Sequence, residues 1–387
     1  MRILFAADVH PNPDSGAAGT EWQTIASLRE LGHEVDTIWA EDLGRRIQHG
    51  NLHYLLELPR RYREVIAQRC ERRGFDVLHV NQGHCYLAAL DHRKRNRRGV
   101  FVCRSHGLDD HMERVLAPWR RRLGVEAPSS ARRLVSSLLW RALARHDRLA
   151  YRYADGVLVS ASHDAEYLTQ TMHVAPERVA AVPQAPASAF VAGDAAPMTA
   201  MRARKLLHVG GFAYWKGVHA VAQAANMLLA GAPDATLTWV CREDEHEKVL
   251  ALLAPAIRAQ VVLRPWVSQL ELCRIYDDHG IFLAPSLFEG FGKVFLEAMA
   301  RGLIVIGTAT GGMRDIIRPD QDGIIVPFHD PPGLVAAIRR CWERPDATDR
   351  MSAAAAGRAR EYAWQRTALE IVAFYRRLAS LRAANVC

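Results

Sequence analysis

In the segment Pro285-Ser286-Leu287-Phe288-Glu289-Gly290-Phe291-Gly292-Lys293-Val294-Phe295-Leu296-Glu297 two carboxylates stand eight residues apart, with two glycines between them. The apolar run Ile281-Phe282-Leu283-Ala284 comes before it and a helical pattern from Val294 to Arg301 comes after. The spacing predicts a strand, a tight turn and a helix. Such a turn lies at the carboxyl end of its strand, where open α/β sheets bind ligands. The backbone N–H groups of Phe291, Gly292, Lys293 and Val294 at the helix start form a seat for phosphate. A carboxylate beside that seat repels phosphate, so Glu289 and Glu297 are better suited to accept hydrogen bonds from hydroxyls. A phosphate seat flanked by two hydroxyl-binding carboxylates suits a nucleotide sugar.

The elements that must position this turn recur along the chain. Strands are predicted at Ile3–Ala7, Glu34–Trp39, Val77–Val80, Gly99–Arg104 and Gly156–Ser160, with a Gly-containing loop and a helix around Glu21–Leu31 after the first. That alternation implies a parallel sheet covered on both faces. A second series begins at Lys205–Val209 and continues through a helix at 217–230 and strands near 236–241, 260–264, 281–285, 303–307 and 323–326. Ala185–Arg204, rich in Ala, Pro, Gly and Asp, reads as a linker. A last helix, about 365–383, has an apolar face of Leu369, Ile371, Val372, Phe374 and Leu378. The expected fold class is α/β. An N-terminal Rossmann-like domain over 1–190 and a C-terminal one over 205–362 are expected to face each other across a cleft. A helix over 363–387 is expected to pack back toward the first.

A chain of 387 residues exceeds a single core, and 49% hydrophobic with 24% charged residues is a globular composition. No apolar run approaches the roughly 20 residues that span a bilayer. The start, Met1 to Asp8, is too short and too soon charged for a signal peptide and reads as a buried first strand. The seven cysteines are odd in number and form no C-x-x-C pair, which suits reduced thiols in a cytoplasmic protein. The histidines show no ligand spacing for zinc. No metal and no cofactor are expected.

Several segments together resemble the retaining family-4 glycosyltransferases of the GT-B fold. They are the block around Glu289 and Glu297, Gly311-Gly312-Met313-Arg314-Asp315, Asp322-Gly323, Gly32-His33-Glu34-Val35, Arg104-Ser105-His106-Gly107, Ala154-Asp155-Gly156-Val157 and His208-Val209-Gly210-Gly211 followed by Lys216-Gly217. The resemblance implies a donor that is a nucleotide diphosphate sugar, based on uridine or guanosine, and transfer with retention at the anomeric carbon. It implies a same-face displacement in which the leaving phosphate accepts the acceptor's proton.

The same resemblance distributes the roles. Lys216 would stabilise the charge developing on the diphosphate, the kind of term that is usually largest in such chemistry. Glu297 would hold the ribose hydroxyls, Glu289 would accept from hydroxyls of the transferred sugar, and His106 would lie beside that sugar. Gly16 and Gly19, in the loop after the first strand, and Gly210 would approach the diphosphate. The family usually has an Arg where this chain has Gly211. Lys293, Arg242 and Arg264 are the candidates to supply that second cation. His79, His84 and Asp109 are further candidates on the acceptor side.

The net charge of +8 is unevenly spread: residues 92–152 hold sixteen Lys or Arg against five Asp or Glu. Within 113–152 ten arginines alternate with Trp119, Leu123, Leu134, Leu138, Leu139, Trp140, Leu143 and Leu149, a pattern of amphipathic helices. They read either as solvated helices packed on the first domain or as a peripheral attachment to an anionic membrane leaflet. The second reading goes with a cell-surface glycan or lipid-linked acceptor at the inner face of the membrane. The aromatic residues are not spaced as a stacking platform, so nucleic acid is not expected. A small soluble acceptor, such as a natural product or sugar phosphate, is the enzyme alternative. A non-catalytic nucleotide-binding scaffold is the reading from another class, on Gly211 and on Gln184-Ala185 where the family tends to have Asn-Gly.

Overall fold

Runs of Val, Ile, Leu and Phe, buried on successive residues, build two sheets of the kind that helices cover on both faces. The computed structural model describes residues 1–13, 16–125 and 130–384. They divide into one unit of residues 1–183 with the segment from 364 onward, and a second of residues 184–363. The first sheet holds β1 (Arg2–Ala6), β2 (Glu34–Ile38), β3 (Val77–Asn81), β4 (Val100–Arg104), β5 (Gly156–Val159) and β6 (Val179–Ala181). Its order is β2-β1-β3-β4-β5-β6, parallel throughout. The second holds β7 (Lys205–Val209), β8 (Thr236–Val240), β9 (Val261–Arg264), β10 (Ile281–Ala284), β11 (Ile304–Gly307) and β12 (Ile324–Ile325). Its order is β12-β11-β10-β7-β8-β9, again parallel.

These orders locate the ligand-binding edges. In the first sheet the connections diverge between β1 and β3, and in the second between β7 and β10. Crevices open beyond the carboxyl ends of the strands at such switch points. The helices that bear on function are α1 (Gly16–Glu30), α2 (Asp109–Arg122), α3 (Ser130–Tyr153), α4 (Ser162–Glu166), α5 (Val218–Leu229), α6 (Lys293–Ala300), α7 (Gly311–Ile316) and α8 (Trp364–Ala384).

Helix α8 belongs to the first unit, where Ile371, Val372, Phe374 and Leu378 pack against Ile3, Phe5, Val77 and Leu158. Gly156 permits the contact, since a Cβ there would stand 2.4 Å from Leu378 and 2.7 Å from Phe374. Leu369, expected on the apolar face, is 55% exposed instead. It lies off the stripe formed by 371, 374, 375 and 378.

Three other expectations change. Helix α1 begins at Gly16, so Gly16 and Gly19 lie in its first turns rather than in a loop before it. Glycine is required at the second position because a Cβ on Gly19 would meet the Pro13 carbonyl oxygen at 2.5 Å. The stretch 185–204 is not a bare linker: it carries short helices at Ser188–Val191 and Ala200–Ala203, and buries Phe190 and Arg202. Arg202 donates from its buried guanidinium to the carbonyls of Tyr276 and Arg301 at 3.2 and 2.7 Å and to that of Ala196, while its Nε has no partner among the described residues. Strand β6, Val179-Ala180-Ala181, is an edge strand too short to show a pattern in the sequence. Among the described residues no helix is long and apolar enough to cross a membrane.

Candidate active site

Lys216 ends a short 3-10 turn, Tyr214–Lys216, after β7, and Glu289 sits in the turn after β10. Because β7 and β10 are neighbours, the two loops meet, and Leu287 N donates to Trp215 O at 2.7 Å. Lys216 Nζ donates to both oxygens of Glu289, at 2.8 and 2.9 Å. Ser286 Oγ also donates to Glu289 Oε1, at 2.8 Å. The carboxylate is 9% exposed, while the lysine side chain is 29% exposed and keeps one face to solvent. His208 lines the same small cavity, donating Nδ1–H to Leu283 O at 2.8 Å. Burial pushes its imidazole down to about 4, so it is neutral at pH 7.

Glycines bring these loops together. Gly217 has φ +75°, and a Cβ there would stand 2.1 Å from Pro285 O. Gly217→Ala is therefore expected to cost about 2–3 kcal/mol through strain and collision. Urea unfolding measures this, and a loss under about 0.5 kcal/mol would show that the loops do not need their close approach. Gly311 and Gly312 at the start of α7 close over the same turn. A Cβ on Gly311 would lie 2.7 Å from Glu289 Cβ, and one on Gly312 2.7 Å from the Phe291 ring.

Helix α6 begins at Lys293, with Gly292 as its N-cap at φ +86° and no side chain capping it. Its first turn holds Lys293, Val294 and Phe295, and Glu297 follows, 4% exposed. Lys293 Nζ stands 3.8 Å from Glu297 Oε1. Burial holds the Glu297 carboxyl above the usual range, with Lys293 pulling it back. Each carboxylate of the opening motif thus has its own lysine.

The structure brings Lys216, Glu289, Phe291, Gly292, Lys293, Val294 and Glu297 onto one switch point, but it sets the two arginines further along the sheet. Arg242 follows β8, is 57% exposed and pairs with Asp244 at 2.9 Å and Glu245 at 3.5 Å. Arg264 ends the edge strand β9 and is exposed. Gly210 and Gly211 follow β7 in a loop pinned by Glu245, which accepts from Phe212 N at 2.9 Å and Arg242 N at 3.2 Å.

In the first unit, His106 lies just past β4 and Nε2–H donates to Glu21 Oε1 of α1. Arg104, at the end of β4, holds its guanidinium 3.6 Å from Glu21 Oε2 and donates to Thr24 Oγ1 at 3.1 Å. Glu21 and Arg104 are each 1% exposed. Burial acts to raise the Glu21 carboxyl, but His106 and Arg104 outweigh it and hold it at about 2. Sequence reading missed Glu21, because the helix was expected to start there rather than five residues earlier. An acidic residue on the first turns of a helix after a Gly-x-x-Gly was the available signal.

The other acceptor-side candidates divide. His79 is a core histidine, 0% exposed, stacked on Phe5 and hydrogen-bonded to Tyr375 OH. Burial drives its imidazole well below the usual range. His84 stacks on Tyr54 with centroids 5.0 Å apart, and burial pushes it down to about 4. Asp109 opens α2, where burial pushes its carboxyl up to about 6.

A family model described as Glycosyltransferase Family 4 matches residues 16–185, and one described as Glycosyl transferases group 1 matches residues 203–344. The chain belongs to this glycosyltransferase family. Its paired parallel sheets form the GT-B fold, matching sucrose-phosphate synthase from Thermosynechococcus elongatus with a TM-score of 0.78 and 20% identity, over 98% of this chain and 99% of that one. D-inositol 3-phosphate glycosyltransferase of Thermobispora bispora is 30% identical over 241 residues, 57% of this chain and 56% of that protein. The enzyme of the same name from Nocardioides sp. is 36% identical over 141 residues, 34% of this chain and 31% of that protein. The chain thus spans about half or less of the length of these curated relatives.

Proposed function

We propose that the protein transfers a sugar from a nucleotide diphosphate sugar to a hydroxyl of a small phosphorylated acceptor, without a metal and with retention at the anomeric carbon. The observation that carries the reading is the Lys216–Glu289 pair, set on the two loops that flank the β7/β10 switch point. A diphosphate arriving there competes for the ammonium of Lys216. Glu289, released from it, accepts from sugar hydroxyls while Ser286 keeps it oriented. Glu297 and the N-terminus of α6 then serve the ribose and a phosphate. Retention fits a carboxylate engaged by Lys216 and Ser286, which is a poor nucleophile, so the acceptor's proton passes to the leaving phosphate.

Two observations favour a small acceptor over a lipid-linked one. The relatives named above are inositol phosphate glycosyltransferases. In the basic helices α2 and α3, Leu116 and Tyr151 are buried and Trp119, Leu139, Trp140, Leu143 and Leu149 are half-buried. Among their described side chains only Leu138 is large, hydrophobic and exposed, while Leu134 lies outside the described side chains. An interfacial helix needs a broad apolar face.

A thermal-shift panel of uridine, guanosine and adenosine diphosphates and their sugars tests the donor half. The matching nucleotide at 100 times its Kd should add about 2.7 kcal/mol of stability. Stabilisation by none of them would overturn the reading. For the acceptor half, radiolabelled donor should yield product with an inositol phosphate or hexose phosphate. Product only with membrane extract, together with salt-sensitive binding to anionic vesicles, would return the acceptor to the glycolipid class.

A further inference from the structure

His111, on the first turn of α2, meets His163 and Asp164 of α4, although 52 residues separate the two histidines. His111 Nδ1 lies 2.7 Å from Asp164 Oδ1, and His163 Nε2 lies 3.3 Å from the same oxygen. One ligand atom from each of the three falls within 4.8 Å of the others. Asp164 is 0% exposed, and its Oδ2 is buried with no hydrogen-bond donor among the described residues. A buried carboxylate oxygen without a donor is uncommon and calls for a cation or water. Tyr167 stacks flat on the His111 ring, with centroids 4.5 Å apart and planes at 9°, and fixes its orientation. The side chains are 15%, 9% and 0% exposed, so the group is enclosed but reachable from the His111 side.

We propose that His111, His163 and Asp164 form a binding site for a divalent transition-metal cation of the zinc type. Two imidazoles and one carboxylate favour zinc, copper or nickel over magnesium or calcium, which prefer all-oxygen shells. A tetrahedral zinc with bonds of about 2.0–2.1 Å separates its ligand atoms by about 3.3 Å. The His163–Asp164 distance already matches that edge, and the His111–Asp164 distance must open by about half an ångström. Both coordinating nitrogens bind as lone-pair donors, so protons compete with the metal and uptake weakens as pH falls. Three protein ligands leave a fourth position for water or another donor.

The three ligands belong to the first unit and include none of the residues assigned to the transfer chemistry above. The site ties the loop after β4 to the loop after β5, five residues beyond His106. Occupancy would hold α2 against α4 and steady the segment that carries His106.

The test is titration of EDTA-treated, dialysed protein with Zn2+ by calorimetry, with Co2+ as a visible-absorption reporter of coordination geometry. One equivalent per chain is expected, with a rise in melting temperature as zinc is added. His111→Ala, whose side chain is partly exposed, should weaken binding at least tenfold while circular dichroism remains that of the folded chain. The His111→Ala/His163→Gln pair should abolish the stoichiometric step. The chain has seventeen histidines, so this double variant separates the cluster from scattered surface binding. Sub-stoichiometric uptake by the parent protein would overturn the proposal and leave a purely hydrogen-bonded node. Undiminished uptake by the folded double variant would overturn it as well.

Discussion

Lys216→Ala is expected to lower kcat/KM for donor turnover by about 10²–10³, the loss usually seen when a fixed charge or donor is removed from a developing anion. Lys216 is the cation on the β7 side of the switch point, and it already binds both oxygens of a carboxylate at 2.8 and 2.9 Å. The obvious confusion is with stability, since the variant strands Glu289 at 9% exposure without its counter-charge. Breaking a fully buried pair costs about 3–5 kcal/mol. Here the lysine is 29% exposed, so solvent screening reduces that to about 1–2 kcal/mol. Pairing Lys216→Met with Glu289→Gln removes both charges and should restore most of the melting temperature. It should not restore the rate. Recovery of turnover in the double variant would mean that the pair is structural. A Lys216→Ala protein that remains folded with full activity would overturn the catalytic reading altogether.

Much of this was legible in the chain because local rules and global fold agree there. The strand, the Gly-containing turn and the helix of 281–301 each have their own periodicity, and a glycine marks the left-handed N-cap. Two things were not legible. The pairing of Lys216 with Glu289 spans 73 residues and depends on strand order, which places β10 beside β7 rather than beside β9. Local patterning contains strands but not their neighbours. Basic residues chosen by type alone were likewise divided by position. Lys293 lies within the turn, whereas Arg242 is paired to its own acidic neighbours and Arg264 stands at the sheet edge. The resemblance to the family calls for an Arg where Gly211 stands. A Cβ there would lie 3.8 Å from the Glu245 carboxylate, an ordinary contact with room for a side chain. The glycine is therefore not imposed by packing. The site's positive charge rests on Lys216 and Lys293, which sharpens the demand on the first of them.

Glu21→Gln should produce the largest loss of stability of any single change at the candidate site. Arg104 is 1% exposed and its guanidinium stands 3.6 Å from Glu21, so the amide leaves a buried cation without an anion, at a cost of about 3 kcal/mol. The pH dependence gives an independent measure. The folded carboxyl is held at about 2, below its ordinary 4.5. Because the folded value is the lower one, the stabilisation is complete above about pH 5 and is lost as pH falls toward 2. Its size is again about 3 kcal/mol. The parent protein should therefore lose melting temperature steeply between about pH 5 and 2, and Glu21→Gln should lose less over that interval. Equal acid slopes would show that Glu21 is not the group responsible. Stability alone does not establish a role in transfer, and here His106 matters. Glu21 accepts from Nε2–H and so fixes which imidazole nitrogen keeps the proton and which faces outward. Glu21→Asp retains the charge for Arg104 but shortens the reach to His106. It should recover most of the stability, while turnover remains reduced with a shifted pH profile. If turnover instead tracks stability across both variants, Glu21 is a core ion-pair partner and His106 needs no positioning from it.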